Sequence, residues 1–165
     1  MVMWGLLGGG QVSPGVRKGF DLIRMERYDE AEQFFQKALS EHPKDPHGWV
    51  GRGIAALRRG DPKKALEYVD YALTLAPEEP NAWYQKARAL ASLGKHEQAL
   101  SCYERSLHLQ PTAAAWYCKG RSLEALERDP EALDCYEKAM TLTKEEEVRA
   151  RRDALLRKLR EQRST

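Results

Sequence analysis

Small and large apolar side chains recur along this chain at helical spacing, and no segment of useful length alternates polar and apolar residues as a strand would. Gly19, Gly53, Ala87 and Gly120 form one ladder, and Ala31, Ala65, Ala99 and Ala132 a second. Four residues after each member of the second ladder stands Phe35, Val69, Tyr103 or Tyr136, and seven after it Ala38, Ala72, Ser106 or Ala139. Trp49, Trp83 and Trp116 lie 34 and 33 residues apart, and Pro43, Pro77 and Pro111 repeat every 34. Independent residue types sharing one period define an internal repeat. One residue is deleted between Pro111 and Trp116, in a predicted turn, where a deletion is tolerated.

In register, the units are 12–45, 46–79, 80–112 and 113–146, each read as two helices. Asp45-Pro46, Asp61-Pro62, Asp129-Pro130 and Ser13-Pro14 give an N-cap followed by proline at the first helical position. Gly60 and Gly94 fall between paired helices, where glycine takes a left-handed conformation. Pro43, Pro77 and Pro111 end the second helices. A glycine inside a helix costs up to ~1 kcal/mol relative to alanine. Three at one register position therefore imply close helix approach, with the large residues of the second helices filling the space around them. After the fourth unit, which has Lys144 where proline would stand, Val148, Leu155, Leu156 and Leu159 share a helical face. Residues 147–165 read as a terminal helix and tail that cover the last unit, and residues 1–11 as a flexible N-terminal arm.

These residues resemble the tetratricopeptide repeat family over residues 12–146. The second unit matches at Trp49, Gly53, Ala65, Ala72 and Pro77. The third matches at Trp83, Ala99, Tyr103 and Pro111, and the fourth at Trp116, Gly120, Ala132, Tyr136 and Ala139. The first is the most divergent, with Gly15 at the tryptophan position. The resemblance implies an all-α, right-handed superhelical α-solenoid of four helix-turn-helix repeats plus a C-terminal capping helix. It also implies a non-catalytic protein–protein interaction scaffold that binds a peptide segment or partner helix in its concave groove, along the first helices. The groove positions expected to meet the partner are His47, Val50, Ile54, Arg58, Asn81, Tyr84, Arg88, Tyr117 and Arg121. The first unit would add Ser13, Val16, Phe20 and Arg24. Tyrosine and arginine are frequent interface anchors, and guanidinium groups suit carboxylates, so an acidic-hydrophobic segment is the expected guest. Chaperone-binding relatives use a lysine, asparagine and arginine clamp. Its positions here hold Val16, Phe20, Gly51, Asn81 and Gln85, or, one unit later, Val50, Ile54, Gln85, Ala114 and Cys118. Neither set reproduces the clamp, which disfavours chaperone C-terminal tails.

Composition adjusts this picture in three places. The net charge of the 165 residues is only +2, against coating of a polyanion, and nucleic acid is not an expected partner. That total conceals an uneven distribution: residues 147–165 carry seven basic and three acidic side chains, leaving 20 basic and 22 acidic in the body. A basic terminal helix leaves open an alternative role at an anionic surface, nucleic acid or membrane. Self-association through an uncovered solenoid end is the third reading. Cys102, Cys118 and Cys135 are an odd set with no CxxC pair, which points to a reducing, cytoplasmic setting rather than a disulfide framework or zinc site. No apolar run approaches the ~18 residues of a membrane span.

Catalysis, cofactor and metal are not expected. His42, His47, His96 and His108 occupy four different repeat positions and cannot converge. Gly10 and Gly15 have the spacing of a phosphate loop but are followed by Val16-Arg17 rather than lysine and a hydroxyl residue. Gly51-x-Gly53-x-x-Ala56 lies inside a predicted helix with no strand before it, so a dinucleotide site is not formed. Cys102 and Cys135 share a register position on successive second helices, too far apart for a direct bond at the ~10 Å spacing of packed helices.

Overall fold

The computed structural model describes residues 12–162, which form an all-α helical repeat solenoid. The arm expected at residues 1–11 lies outside the described residues. The helices are α1 (Pro14–Arg24), α2 (Tyr28–Glu41), α3 (Pro46–Arg58), α4 (Pro62–Leu75), α5 (Pro80–Ser92), α6 (His96–Leu109), α7 (Ala113–Ala125), α8 (Asp129–Leu142) and α9 (Glu146–Gln162). Each odd-numbered helix from α1 to α7 packs on the helix after it, each pair packs on the next, and α9 packs on α8. The odd helices α1, α3, α5 and α7 also touch in succession, which makes them one row.

Local sequence sets the ends of these helices. The side chains of Ser13, Asp45, Asp61, Glu79 and Thr112 each accept a hydrogen bond from a backbone N–H in the first turn of the helix that follows. Asp129 differs from expectation. It is the first residue of α8 rather than its cap, and Arg128 occupies the cap position without a side-chain bond. The alignment on Ala65 and Ala132 explains this, because it sets Asp129 opposite Pro62, one position inside the helix. Gly60 and Gly94 adopt φ of 81° and 74° in their interhelix turns. The equivalent turns of the first and last units reach φ of 59° with Glu26 and Glu127, which have no glycine signal in the sequence.

The ladders pack as their sizes require. A Cβ added to Gly19 would lie 2.5 Å from the Phe35 ring, at Gly53 2.5 Å from Val69 Cγ2, and at Gly120 2.6 Å from the Tyr136 ring. A Cβ added to Gly51 would meet the same Phe35 ring, so that ring is enclosed by two helices at once. Ser106, which stands in the ladder of small residues that admits the next unit, donates from its hydroxyl to the Pro80 carbonyl at 2.9 Å. At two junctions the tryptophan indole closes the seam: Trp49 Nε1 donates to the Pro43 carbonyl and Trp83 Nε1 to the Pro77 carbonyl, each at 2.8 Å.

Helix α9 buries Val148 and Leu155 against the last pair, with Leu159 packed beside them. Three polar links accompany this burial. Tyr117 donates to Glu147 Oε1 at 2.8 Å, Arg151 holds Glu124 through two bonds at 2.9 and 2.7 Å, and Lys158 pairs with Asp129 at 2.5 Å. None of the described helices is long and apolar enough to cross a membrane.

Candidate functional site

The inner row of helices presents different chemistry at its two ends. In α1 and α3 the inward positions carry Val16, Phe20, Val50 and Ile54. The structure corrects the expectation that Val50 and Ile54 line an open groove: Val50 is 0% and Ile54 2% exposed. They belong to one apolar cluster with Val16, Phe20 and Phe35. Aliphatic side chains at neighbouring inner positions draw the first helices together, and each buried side chain contributes ~1.5–3 kcal/mol toward that closure. His47 and Asn81 are also buried, and Asn81 Oδ1 accepts from Gln85 Nε2 at 3.0 Å. Arg58 remains exposed at the C-terminal end of α3.

From α5 onward the same positions hold Tyr84, Arg88, Tyr117 and Arg121, which need water or polar partners. Tyr84, Arg88 and Tyr117 are half-buried and Arg121 is exposed. The Tyr84 hydroxyl lies 3.6 Å from Cys118 Sγ. Burial pushes its phenol above the ordinary value, and the neighbouring thiol adds to that shift. Arg88 donates to Gln85 Oε1 at 3.0 Å and sits 5.7 Å from the Tyr84 ring centroid. Arg121 has no ion pair among the described residues.

Arg88 and Arg121 line one open cavity of about 490 Å³ between α5, α7 and α9, together with Tyr103, Cys118, Glu124 and Arg151. Glu124 is engaged on two sides, by Arg151 and by the Tyr136 hydroxyl. The hydrogen bonds that Arg151 donates to Glu124 are the main influence raising its guanidinium, and burial is the main influence raising the Tyr136 phenol. His96 borders the cavity, and its buried Nδ1 has no hydrogen-bond partner among the described residues.

The structure therefore brings Arg88 and Arg121 to one cavity, places Tyr84 and Tyr117 on the same two helices, and buries Val50 and Ile54 in the core. The sequence reading missed Glu124, Arg151 and Glu147. A signal for two of them was present: Glu147 and Arg151 are four residues apart, on one face of α9, where they can meet the same helix. Cys102 and Cys135 are buried and free, and burial raises both thiols. Cys118, by contrast, is half-buried at the cavity. Among the described residues no group of three or more metal-ligating side chains converges.

Profiles of the tetratricopeptide repeat match residues 17–80, 52–118 and 113–146, so the chain belongs to the tetratricopeptide repeat family. It is, at that level, a protein-interaction scaffold. Solved structures share the fold. MamA residues 41-end from Desulfovibrio magneticus RS-1 is 22% identical, with 88% of this chain and 86% of that chain covered and a TM-score of 0.73. A thermophilic TPR protein of Thermus thermophilus is 21% identical, with 86% and 97% covered and a TM-score of 0.62. A tetratricopeptide repeat protein from Parabacteroides merdae is 21% identical, with 86% and 56% covered and a TM-score of 0.76. No curated protein matches the chain.

Proposed function

We propose that this protein binds a peptide segment or partner helix along the open half of its inner row, α5 to α7, and performs no catalysis. The observation that carries this reading is the cavity lined by both Arg88 and Arg121, with Tyr84 and Tyr117 one turn before them on the same two helices. Tyrosine and arginine combine large contact area with directional donors, which is why they anchor interfaces. The units 12–45, 46–79, 80–112 and 113–146 supply the scaffold, and residues 147–165 its C-terminal cap. Three free cysteines support a reducing, cytoplasmic setting. The alternative role of the basic terminal helix gains no support from its ion pairs, because Arg149, Arg151, Arg152 and Lys158 each face a carboxylate of this chain.

The test is affinity capture with the wild type and with an Arg88→Glu/Arg121→Glu variant, followed by calorimetric titration of the identified partner. The expected result is binding by the wild type and its loss in the variant. Equal affinity for both proteins would overturn the assignment of the groove.

A further inference from the structure

The cavity between α5, α7 and α9 carries an unbalanced charge. Three guanidinium groups line it, those of Arg88, Arg121 and Arg151, against the single carboxylate of Glu124. That carboxylate is already spent on Arg151, through paired bonds at 2.9 and 2.7 Å, and on the Tyr136 hydroxyl. Among the described residues Arg88 meets neutral groups, the Gln85 amide oxygen and the Tyr84 ring. Two cations thus line a space of about 490 Å³ in which no described residue supplies them a matching anion. Guanidinium groups are forks that accept a carboxylate through two parallel bonds. The remaining wall mixes apolar Ala91, Tyr103 and Ala125, which can meet the methylene stem of a glutamate, with polar Ser92, His96 and Ser122.

The chain contains its own precedent for this recognition. At the end of the row, the Tyr117 hydroxyl donates to Glu147, the last residue of the acidic run Glu145-Glu146-Glu147. One turn later on the same face of α9, Arg151 reaches Glu124 on α7 and forms part of the cavity wall. The capping helix is thus held by α7 in the position that adds a third guanidinium to the site.

Resting on the groove reading above, we propose that this cavity is a subsite for an acidic side chain of a partner peptide, and that α9 is one of its walls. The partner segment carries glutamate or aspartate at the position that enters between Arg88 and Arg121. Arg151 neutralises Glu124, so that the local field remains attractive to a carboxylate.

The experiment is selection of a random dodecapeptide library displayed on phage against the full chain, with synthetic copies of the enriched peptides titrated by fluorescence polarisation. Enriched peptides are expected to share an acidic position. Their affinity is expected to fall at least tenfold (about 1.4 kcal/mol) with Arg88→Glu/Arg121→Glu. Arg151→Ala, which bares Glu124 inside the cavity, is expected to weaken them severalfold. Lys158→Ala, which releases α9 from Asp129 outside the cavity, is expected to leave them unchanged. Peptides lost on Arg88→Glu/Arg121→Glu but lacking an acidic position would overturn this proposal and leave the groove reading standing. Equal effects of Arg151→Ala and Lys158→Ala would overturn the role of α9 as a wall. Peptides indifferent to all four substitutions, or no enrichment at all, would overturn both readings.

Discussion

The first two helix pairs and the last two are built to one plan, yet their inner faces have opposite character. At equivalent register positions α3 presents Val50 and Ile54, while α5 presents Tyr84 and Arg88. The first pair of residues vanishes into an apolar cluster, whereas Arg88 lines an open cavity and Tyr84 packs only partly buried beside Tyr103. Behind these faces the two halves are alike: Phe35 fills the space at Gly19 and Gly51 as Tyr136 fills it at Gly120. Repeat architecture fixes where side chains point. Their chemistry decides whether neighbouring helices close on each other or leave room for something else.

The contrast is tested most severely at one register position. Ile54→Ala is expected to cost about 2–5 kcal/mol in urea unfolding, because it leaves a void in a sealed core. Arg88→Ala is expected to cost about 1 kcal/mol or less, since its charged group has neutral contacts near solvent among the described residues. Similar losses for both would erase the distinction between closed and open halves. Next in size, Gly51→Ala and Gly120→Ala are each expected to cost about 1–3 kcal/mol, because a rigid ring stands within contact of the new methyl group. A much smaller cost for one would show that the packing behind the two faces also differs.

A third measurement uses alkaline pH. Burial raises the phenols of Tyr84, Tyr103 and Tyr136, all between α5 and α8. A phenol held neutral in the fold contributes stability that is intact below the ordinary value near 10 and is lost as pH rises through the higher folded value. Circular dichroism should therefore show stability falling above about pH 10, with late phenolate absorbance appearing together with unfolding. Tyr103→Phe should reduce that slope, and an unchanged slope would contradict the burial argument. The smallest effect is expected from Arg151→Ala. Its ion pair is partly exposed, so global stability should change by about 1 kcal/mol or less. Hydrogen exchange should nevertheless quicken in the first turns of α9, and unaltered exchange there would mean that apolar burial alone fixes the cap.

Much of this architecture could be read before any coordinates. The glycine and alanine ladders, the large residues opposite them and most helix caps follow from local physics and a fixed period. The candidate site was legible only in outline. Register placed Val50 and Tyr84 on the same face, but it does not report how closely neighbouring helices approach, so it could not separate a sealed seam from an open one. The links from Tyr117 to Glu147 and from Glu124 to Arg151 join residues 30 and 27 positions apart and leave no mark in a repeat of 34. Glu26 and Glu127 adopt positive φ because the turn between packed helices demands it, although neither residue type announces that conformation.

The unequal seam also has a mechanical side. Spreading α1 from α3, or α3 from α5, exposes Val50 and Ile54 to water and meets an apolar restoring force. Spreading α5 from α7 parts Tyr84 from Cys118 but otherwise widens a space that is already open to solvent, so a weaker apolar restoring force is expected there. The solenoid is thus a spring of two stiffnesses in series. Its curvature is expected to yield first between α5 and α7, where Arg88 and Arg121 stand, while the other half keeps its shape.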